Sequence, residues 1–301
     1  LRSNQFCNLS EVVIREGDTL ASLKKKVETA AIIGTLQATL TDFRYLRNLW
    51  KRNTEEEALL GLSMTGIMDH PTLGNSSDKT KQWLEELKEV AITTNKIWAE
   101  KLGIAQSVAI TCVKPSGTVS QLVDSASGIH PRFSKQYIRR VRSDKKDPLA
   151  VFMEDKGFPV EQDVMSPASA VFSFPVKAPE KSVTVAEVGA MQQLELWKTY
   201  QNHWCEHKPS ITVYYTDSEF LQVAQWIWDN FEICSGISLL PVSDHVYQQA
   251  PYEDISIEKY NELLAAMPQG VSWEDLENFE QEDNTTGSQE LACTGGACEI
   301  V

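Results

Sequence analysis

The stretch from Lys114 to Ser120, KPSGTVS, combines residue types that can hold a phosphate group. Gly117 allows the backbone to approach a ligand closely, and the proline before it fixes one backbone angle. Hydroxyl side chains can donate hydrogen bonds, and free N–H groups point outward wherever a helix begins. The candidate phosphate-binding residues are Pro115, Ser116, Gly117, Thr118 and Ser120. A plain strand–turn–helix junction without a ligand is the alternative reading of this loop.

Two cysteines near the end of the chain, Cys293 and Cys298, form a second candidate for chemistry. Two glycines lie between them, so both sulfurs can reach disulfide geometry. The polar, acidic stretch 280–301 predicts a flexible tail, whose length up to Cys293 spans ~20 Å by random-coil scaling. Such a dithiol could shuttle electrons between a buried disulfide and an external reductant. Half of a zinc site and an inert tail remain as alternatives.

The elements that must position these residues alternate between strands and helices. Strands are predicted at Val108–Ile110, Leu59–Ile67, Tyr137–Val141, Ala170–Val176, Ile211–Tyr215 and Ile237–Pro241. Helices are predicted from Thr19 to about Asn53, Asp78 to about Lys101, Pro148–Lys156, Val185–Cys205 and Ser218–Glu232. This alternation predicts a parallel α/β arrangement with ligands at the carboxyl ends of the strands.

Composition and charge exclude some classes of protein and partner. The sequence has 301 residues, no apolar run long enough to span a membrane and no signal-peptide pattern, so a cytoplasmic protein without a membrane partner is expected. Residues 251–301 carry twelve acidic side chains against Lys259 alone, which argues against a nucleic-acid partner at that end. By contrast, Arg132 to Lys146 holds seven basic residues, either a solvated hairpin or a surface for a polyanionic ligand. Six cysteines in such a chain predict reduced thiols.

An ordered set of motifs resembles the class II, adenosylcobalamin-dependent ribonucleotide reductases, of the ribonucleoside-triphosphate type. The motifs are FCNLSEVV (Phe6 to Val13), LLGLSMTGIMD (Leu59 to Asp69), PSGTVS, GIHPR, KPSITVYY (Lys208 to Tyr215), APYEDI (Ala250 to Ile255) and CTGGAC. The resemblance extends over nearly the whole chain, and the ordered set is more specific than any one member. It implies that residues 1–279 are the C-terminal half of a ten-stranded α/β barrel, with the other half upstream of Leu1. Because the chain lacks a start Met, we expect it to be a fragment.

The resemblance also assigns roles to several cysteines. Cys7 matches one member of the family's buried redox pair, and its partner is expected upstream. Cys293 and Cys298 match the dithiol that re-reduces this pair with electrons from a thioredoxin-type reductant. The radical-bearing cysteine and the acid–base glutamate of the family are also expected upstream of this sequence. Packing roles are predicted for the three remaining cysteines, which are Cys112, Cys205 and Cys234.

In the mechanism that the resemblance implies, the loop holds the 5′-phosphates of a ribonucleotide. Adenosylcobalamin would generate the radical, the 2′-hydroxyl would leave as water, and Cys7 with its partner would supply two electrons. The cobalamin site is expected to include Phe172, Ser173, Phe174 and Pro175. No metal-ligating residue is assigned in this sequence, because it has no Asp-x-His-x-x-Gly motif through which a histidine could ligate cobalt.

Four other readings are compared with this one. A class I large-chain fragment should carry a Tyr–Tyr pair where this sequence has Leu239 and Leu240, and a class III enzyme should carry a glycyl-radical motif. The chain could instead be a nucleotide-binding module without redox chemistry. It could also be a non-catalytic piece that only completes the barrel of another chain. The sequence does not distinguish diphosphate from triphosphate substrates.

Overall fold

A computed structural model describes residues 1–180, 182–242 and 248–281 of the chain. The strands are β1 (Asn8–Val13), β2 (Leu60–Thr65), β3 (Gln136–Asp144), β4 (Val160–Gln162), β5 (Ser169–Lys177), β6 (Ile211–Tyr215), β7 (Ile237–Pro241) and β8 (Tyr252–Asp254). The α-helices are α1 (Leu20–Gln37), α2 (Asn48–Glu57), α3 (Asp78–Leu102), α4 (Val119–Leu122), α5 (Pro148–Asp155), α6 (Ala190–His203), α7 (Phe220–Asp229) and α8 (Ile257–Ala266). Short 3₁₀ turns lie at Ile67–Asp69, Val185–Glu187, Phe231–Ile233 and Trp273–Asn278.

The described residues divide into two compact units. The first contains residues 1–132 and 182–242, and the second contains residues 133–180 and 248–281. The phosphate-loop candidate and Cys7 belong to the first unit, whereas the proposed cobalamin segment belongs to the second. None of the helices in the described ranges is long and apolar enough to cross a membrane.

Five parallel segments run through the first unit, and we call them the parallel series. Strand β1 pairs in parallel with β2, and β6 pairs in parallel with β7. The segment 109–113 joins the two pairs through single parallel bridges, from Leu62 to Thr111 and from Val113 to Pro209. The order is therefore β1, β2, segment 109–113, β6 and β7, with helices between them along the chain. The predicted α/β class is confirmed, and the parallel arrangement is observed in this unit.

The aromatic residues of α6 hold the middle of the parallel series in place. Trp197, Tyr200 and Trp204 are fully buried in the apolar core of the first unit. Their polar atoms bond to backbone carbonyls, with Trp197 Nε1 2.9 Å from Pro209 O and Trp204 Nε1 2.8 Å from Cys112 O. Buried indoles need such partners. These contacts fix the segment that leads into the phosphate loop.

The second unit is built differently from the prediction. Its four strands form an antiparallel sheet in the order β4, β5, β3, β8. The predicted strands at 137–141 and 170–176 are present within β3 and β5, but their predicted parallel arrangement is wrong. The connection contains the extra strand β4, which forms a hairpin with β5 and reverses the direction of the chain. Apolar side chains of α5 and β5 form a separate small core on one face of this sheet.

One long predicted helix is also corrected. In place of one helix from Thr19 to Asn53 the chain forms two, α1 and α2, which are separated by residues 38–47, and α2 continues to Glu57. Thr19 caps the first helix, because its side chain accepts a hydrogen bond from the N–H of Ser22. Leu40 and Tyr45 in the connection are 72% and 100% exposed, so no buried apolar face continues through it. Similarly, α6 begins only at Ala190, after a 3₁₀ turn.

Candidate active site around Cys7 and the loop at 114–120

Side-chain alternation along β2 separates packing residues from site residues. Leu60, Leu62 and Met64 belong to the apolar core. The intervening residues of a strand point to the opposite face, so Gly61 and Ser63 face away from that core. We call this opposite side of the parallel series the site face.

Cys7 lies immediately before β1 and is half-buried on the site face. A Cβ atom added to Gly61 would lie 3.1 Å from Cys7 Sγ and 3.6 Å from Cys112 Sγ, so both sulfurs approach this glycine. Burial raises the pKa of the Cys7 thiol, and the positive charge of Lys114 opposes that shift. The thiol is therefore protonated at neutral pH, in a position that is shielded and close to a cation.

Cys112 is the sulfur that the sequence prediction placed only in the packing. It is almost fully buried, and burial raises its pKa to about 12. Cys205 is buried as well, and burial raises its pKa in the same direction. Cys234 is only partly buried. Nothing in the sequence signals that Cys7 and Cys112 come together, because their proximity depends on the order of the parallel segments and on a glycine between them.

The predicted phosphate loop is held by its own serines. The N–H of Ser116 donates to Ser127 Oγ at 3.0 Å, and its hydroxyl accepts from the N–H of Ser120 at 3.2 Å. The hydroxyl of Ser120 donates to the carbonyl of Ser116, and Ser120 is completely buried. Ser116 and Ser120 therefore shape the loop, and Ser120 in particular has no surface for a ligand.

The outward-facing part of the loop consists of Pro115, Gly117, Thr118 and Val119. Pro115, Thr118 and Val119 are exposed, and Gly117 is partly exposed. The backbone N–H groups of Gly117, Thr118 and Val119 donate no hydrogen bond to any residue in the described part of the chain. The Thr118 hydroxyl makes no capping bond to α4, which is a single turn. These donors are the ones that a phosphate group could engage.

Glu11 is a loop partner that the sequence analysis missed. Its Oε2 accepts a hydrogen bond from the Ser116 hydroxyl at 2.8 Å. Glu11 lies opposite Ser63 in the β1–β2 register, and Ser63 Oγ accepts from the N–H of Lys114 at 2.9 Å. Burial raises the pKa of Glu11, and the hydrogen bond from Ser116 acts in the opposite direction. Its position within FCNLSEVV could have indicated the site face, since Cys7, Leu9 and Glu11 alternate along the strand.

The GIHPR motif is fixed against the carboxyl end of β2. Gly128 has a φ of 55°, and a Cβ atom there would lie 2.6 Å from the Lys114 carbonyl oxygen. Only glycine fits this left-handed conformation and close approach. The N–H of Gly128 donates to Thr65 Oγ1 at 2.9 Å. His130 accepts a hydrogen bond from the N–H of Thr212 at its Nε2, which ties the motif to β6.

Arg132, the last residue of GIHPR, joins two carboxylates. Its Nε and Nη2 lie 3.1 and 2.9 Å from the two oxygens of Asp69, and its Nη1 lies 2.8 Å from Asp124 Oδ1. Arg132 and Asp69 are buried, whereas Asp124 is 67% exposed. Asp69 Oδ2 also accepts from the N–H of Ala126. Burial alone would lower the pKa of Arg132, but the hydrogen bonds and charges of both carboxylates raise it. This cluster fixes the turn that follows α4.

The arginines of β3 in the basic stretch 132–146 do not form a free cationic surface, whereas Lys145 and Lys146 are exposed. Most of this stretch forms β3, the strand between β5 and β8. Arg140 pairs with Glu253, Arg142 pairs with Asp163, and Arg139 lies over the ring of Tyr252. These arginines therefore have partners within the second unit.

The predicted cobalamin segment, residues 172–175, lies on β5. Phe172 is buried in the core of the second unit, and Phe174 packs against the same core. The ring of Phe172 therefore supports the sheet and offers no surface to a cofactor. Ser173 and Pro175 alternate to the other face. The buried hydroxyl of Ser173 has no hydrogen-bond partner among the described residues, which fits a group that carries amide side chains, as a corrin does.

Cys293 and Cys298 lie outside the described residues, so the predicted tail dithiol has no structural description here. The acidic tail 280–301 falls largely in the same region, with residues 280 and 281 at the end of the described part.

The chain is similar along its whole length to curated proteins named adenosylcobalamin-dependent ribonucleoside-triphosphate reductase. The protein of Lactobacillus delbrueckii subsp. bulgaricus is 30% identical over 334 residues, which cover 100% of this chain and 44% of that protein. Those of Lacticaseibacillus paracasei and Euglena gracilis are 26% and 29% identical, and the matches cover 100% and 90% of this chain. The chain thus spans less than half the length of these relatives. No family model matches it.

A crystal structure of a B12-dependent (class II) ribonucleotide reductase has a similar fold, with a TM-score of 0.74. The sequences are 23% identical, and the match covers 95% of this chain and 43% of that one. This likeness concerns the fold, and the named relatives confirm the resemblance that the motifs indicated.

Proposed function

We propose that this chain, a relative of the adenosylcobalamin-dependent ribonucleoside-triphosphate reductases, is the C-terminal half of such a catalytic chain and takes part in reducing ribonucleotides to 2′-deoxyribonucleotides. The observation that carries the proposal is the position of Cys7. A shielded thiol and the loop at 114–120 border the same face of the parallel series. A ribonucleoside-triphosphate reductase, as the relatives are named, needs both a group that can supply electrons and a site for a nucleotide. A site with only one of these parts would not support reduction.

In this proposal the loop orients the substrate. The N–H groups of Gly117, Thr118 and Val119 and the exposed Thr118 hydroxyl bind the phosphates, while Ser116 and Ser120 maintain the shape of the loop. Pro115 limits the backbone conformations at the loop's start. The contribution of the loop is positioning, which makes reaction at the ribose effectively intramolecular.

Cys7 supplies one of the two thiols that become oxidised when the ribose is reduced. Its sulfur would give up a proton and share in a two-electron oxidation to a disulfide, while the 2′-hydroxyl leaves as water. The second thiol, the radical-bearing cysteine and the acid–base glutamate would lie upstream. Lys114 lowers the cost of a transient negative charge on Cys7, since it opposes the effect of burial.

Adenosylcobalamin is the proposed cofactor, and when bound it supplies the radical from its cobalt–carbon bond. Ser173, Phe174 and Pro175 are the residues here that would hold it, with the Ser173 hydroxyl available to an amide side chain. Phe172 would support these residues from within the core of the second unit. The protein's part in the radical chemistry is to position the reactants and exclude water.

The parallel series would form half of a ten-stranded barrel. Among the described residues β1 pairs only with β2, so its other edge could accept a strand from the upstream half. Cys293 and Cys298 would re-reduce the pair that contains Cys7, with electrons from a thioredoxin-type protein, by thiol–disulfide exchange. Both the upstream half and the reductant are proposed partners.

Substitution of Gly117 by Val in the full-length gene product tests the loop's role. A β-branched side chain beside the free N–H groups should obstruct a phosphate, so nucleotide affinity measured by calorimetry should fall at least about tenfold. Gly17→Val is the matched control, because nothing lies within 4 Å of a Cβ atom at Gly17. Unchanged nucleotide affinity in the folded Gly117→Val protein would refute the phosphate assignment.

A further inference from the structure

We propose that Arg15 is a positioning residue of the phosphate loop, which it holds in place together with Glu11. The two side chains fix opposite ends of residues 116–124, which we call the loop segment. The free N–H groups between these ends thereby keep the orientation that a phosphate requires. This inference rests on the proposed phosphate role of the loop, and both residues act through the loop and not on the substrate itself.

The helical turn α4 is too short to maintain its own orientation. A helix of one turn leaves most of its N–H and carbonyl groups without partners inside the helix, and its formation is unfavourable without outside contacts. Thr118, at its amino end, forms no side-chain capping bond. The direction in which the free N–H groups of residues 117–119 point therefore depends on what holds the two ends of the loop segment.

Glu11 and Arg15 project from the same face of one extended stretch of chain. Val12 and Ile14 are buried in the apolar core, so the residues that alternate with them point to the site face. The N–H of Ile14 donates to the carbonyl of Thr65, so the pairing with β2 continues beyond the end of β1. Both charged side chains therefore face the loop.

Each of these side chains holds one end of the loop segment. At the amino end, Glu11 accepts a hydrogen bond from the hydroxyl of Ser116 at 2.8 Å. At the carboxyl end, the Arg15 guanidinium donates to two backbone carbonyls, with its Nη1 2.8 Å from Asp124 O and its Nη2 bonded to Val123 O. Cationic side chains commonly bind the last carbonyls of a helix in this way.

Arg132 holds only part of the same carboxyl end. It binds the side chain of Asp124 and, at 3.1 Å, the carbonyl oxygen of the same residue. The carbonyl oxygen of Val123 accepts a hydrogen bond from Arg15 and from no other residue in the described part of the chain. Loss of Arg15 would therefore leave residue 124 attached through Arg132, while the end of α4 loses its contact with β1.

The strand that holds the loop also supports the proposed redox thiol. Cys7 lies immediately before β1, and Glu11 follows it by four residues, a rise of ~13 Å along extended backbone. A substrate whose phosphates bind to the loop would thus be placed relative to Cys7 by one strand. Accurate placement of this kind is what makes the reaction at the ribose effectively intramolecular.

Arg15→Met in the full-length gene product tests the proposal by amide hydrogen exchange and by calorimetry. The N–H groups of residues 120–125 are bonded within this stretch, and their exchange should become about tenfold faster, because local opening becomes easier. The affinity for inorganic tripolyphosphate should fall at least about fivefold. Lys25→Met, which removes a neighbouring exposed cation of α1, is the matched control and should change neither quantity.

Ionic strength and a conservative variant separate positioning from long-range attraction. At about 0.5 M salt the Debye length is about 4 Å, so attraction between Arg15 and a phosphate is screened. The affinity ratio between wild type and Arg15→Met should persist there, and a ratio that shrinks to one overturns the positioning role. Arg15→Lys keeps a cationic donor for the carbonyls, so its affinity should lie between the two; an affinity no better than that of Arg15→Met contradicts the role of the hydrogen bonds.

The remaining outcomes separate this inference from the proposed function. Wild-type binding of tripolyphosphate that Arg15→Met leaves unchanged overturns the role of Arg15 while the phosphate loop stands. Unchanged exchange of the amides at 120–125 overturns it as well, whatever the affinity. If the wild type binds neither tripolyphosphate nor a nucleoside triphosphate, the loop is not a phosphate site, and both proposals fail.

Discussion

Asp69 and Asp124, the two carboxylates that pair with Arg132, should differ greatly in their contribution to the free energy of unfolding. Asp69→Asn removes the charge that accepts two hydrogen bonds from the buried guanidinium and a third from the N–H of Ala126. Arg132 and Asp69 side chains are only 4% and 8% exposed, so the arginine would remain as a buried, poorly compensated charge. Breaking such a pair costs about 3–5 kcal/mol. Asp124→Asn affects a side chain that is 67% exposed and should cost ~1 kcal/mol or less.

Asp124→Asn is a suitable control for Asp69→Asn, because it removes a carboxylate charge from the same arginine and leaves the backbone contacts and conformation at residue 124 unchanged. The Asp124 carbonyl, which accepts from Arg132 and Arg15, is unaffected by the substitution. Its φ of 47° suits asparagine as well as aspartate. Urea unfolding of the full-length gene product, followed by tryptophan fluorescence, reports on the first unit through Trp197 and Trp204. Free energies of unfolding that differ between the two variants by less than about 1 kcal/mol would refute the argument from burial.

Three further predictions follow from single features of the site. Gly61→Ala should reduce turnover of the full-length enzyme while changing stability by only ~1 kcal/mol, because the new Cβ would lie 3.1 Å from Cys7 Sγ, in ordinary contact with Cys112 Sγ, and closest to the movable end of the Leu9 side chain; normal turnover would contradict this. Burial lowers the pKa of His130, so the wild-type free energy of unfolding should fall as pH decreases below about 6.5, and less steeply in His130→Gln; parallel pH profiles would contradict this. Replacing both Cys293 and Cys298 by Ser should stop turnover driven by a thioredoxin-type protein but spare one turnover of pre-reduced enzyme; persistent thioredoxin-driven turnover would exclude the shuttle.

The sequence predicted most strands and helices of the first unit, because their apolar spacing reflects real burial. The predicted buried strand Val108–Ile110 is wrong: Val108 is 66% exposed, and this part of the chain pairs, among the described residues, only through single bridges at Thr111 and Val113. Strands β6 and β7 begin and end where the β-branched and aromatic runs do. The prediction failed between α1 and α2, where Leu40 and Tyr45 are exposed and the spacing carries no information. It also failed in the second unit, since a helix between two strands does not reveal whether the second strand runs parallel.

In the candidate site, too, some residues could be predicted from local sequence and others could not. Cys7 and the loop could be named from local motifs, because glycine, proline and hydroxyl residues act where they stand in the sequence. The hydrogen bonds of Glu11 with Ser116 and of Arg132 with Asp69 join residues 105 and 63 positions apart, and Cys7 and Cys112, which both approach Gly61, are 105 positions apart. Such pairs depend on the order of the parallel segments, which no local pattern determines. Ser120 and Phe172 were predicted to bind the phosphate and the cofactor. Both are buried, so Ser120 instead maintains the shape of the loop and Phe172 packs in the core of the second unit.

The central proposal is that this chain is part of a cobalamin-dependent ribonucleotide reductase. Its most direct test is the formation of deoxyribonucleotide by the full-length gene product, with a small dithiol as reductant, in the presence and absence of adenosylcobalamin. We expect product only with adenosylcobalamin, no sustained turnover in the Cys7→Ser variant and no product from the 301-residue chain alone. Product that forms without adenosylcobalamin and requires a di-iron partner protein, or that forms equally with Cys7→Ser, would contradict the account.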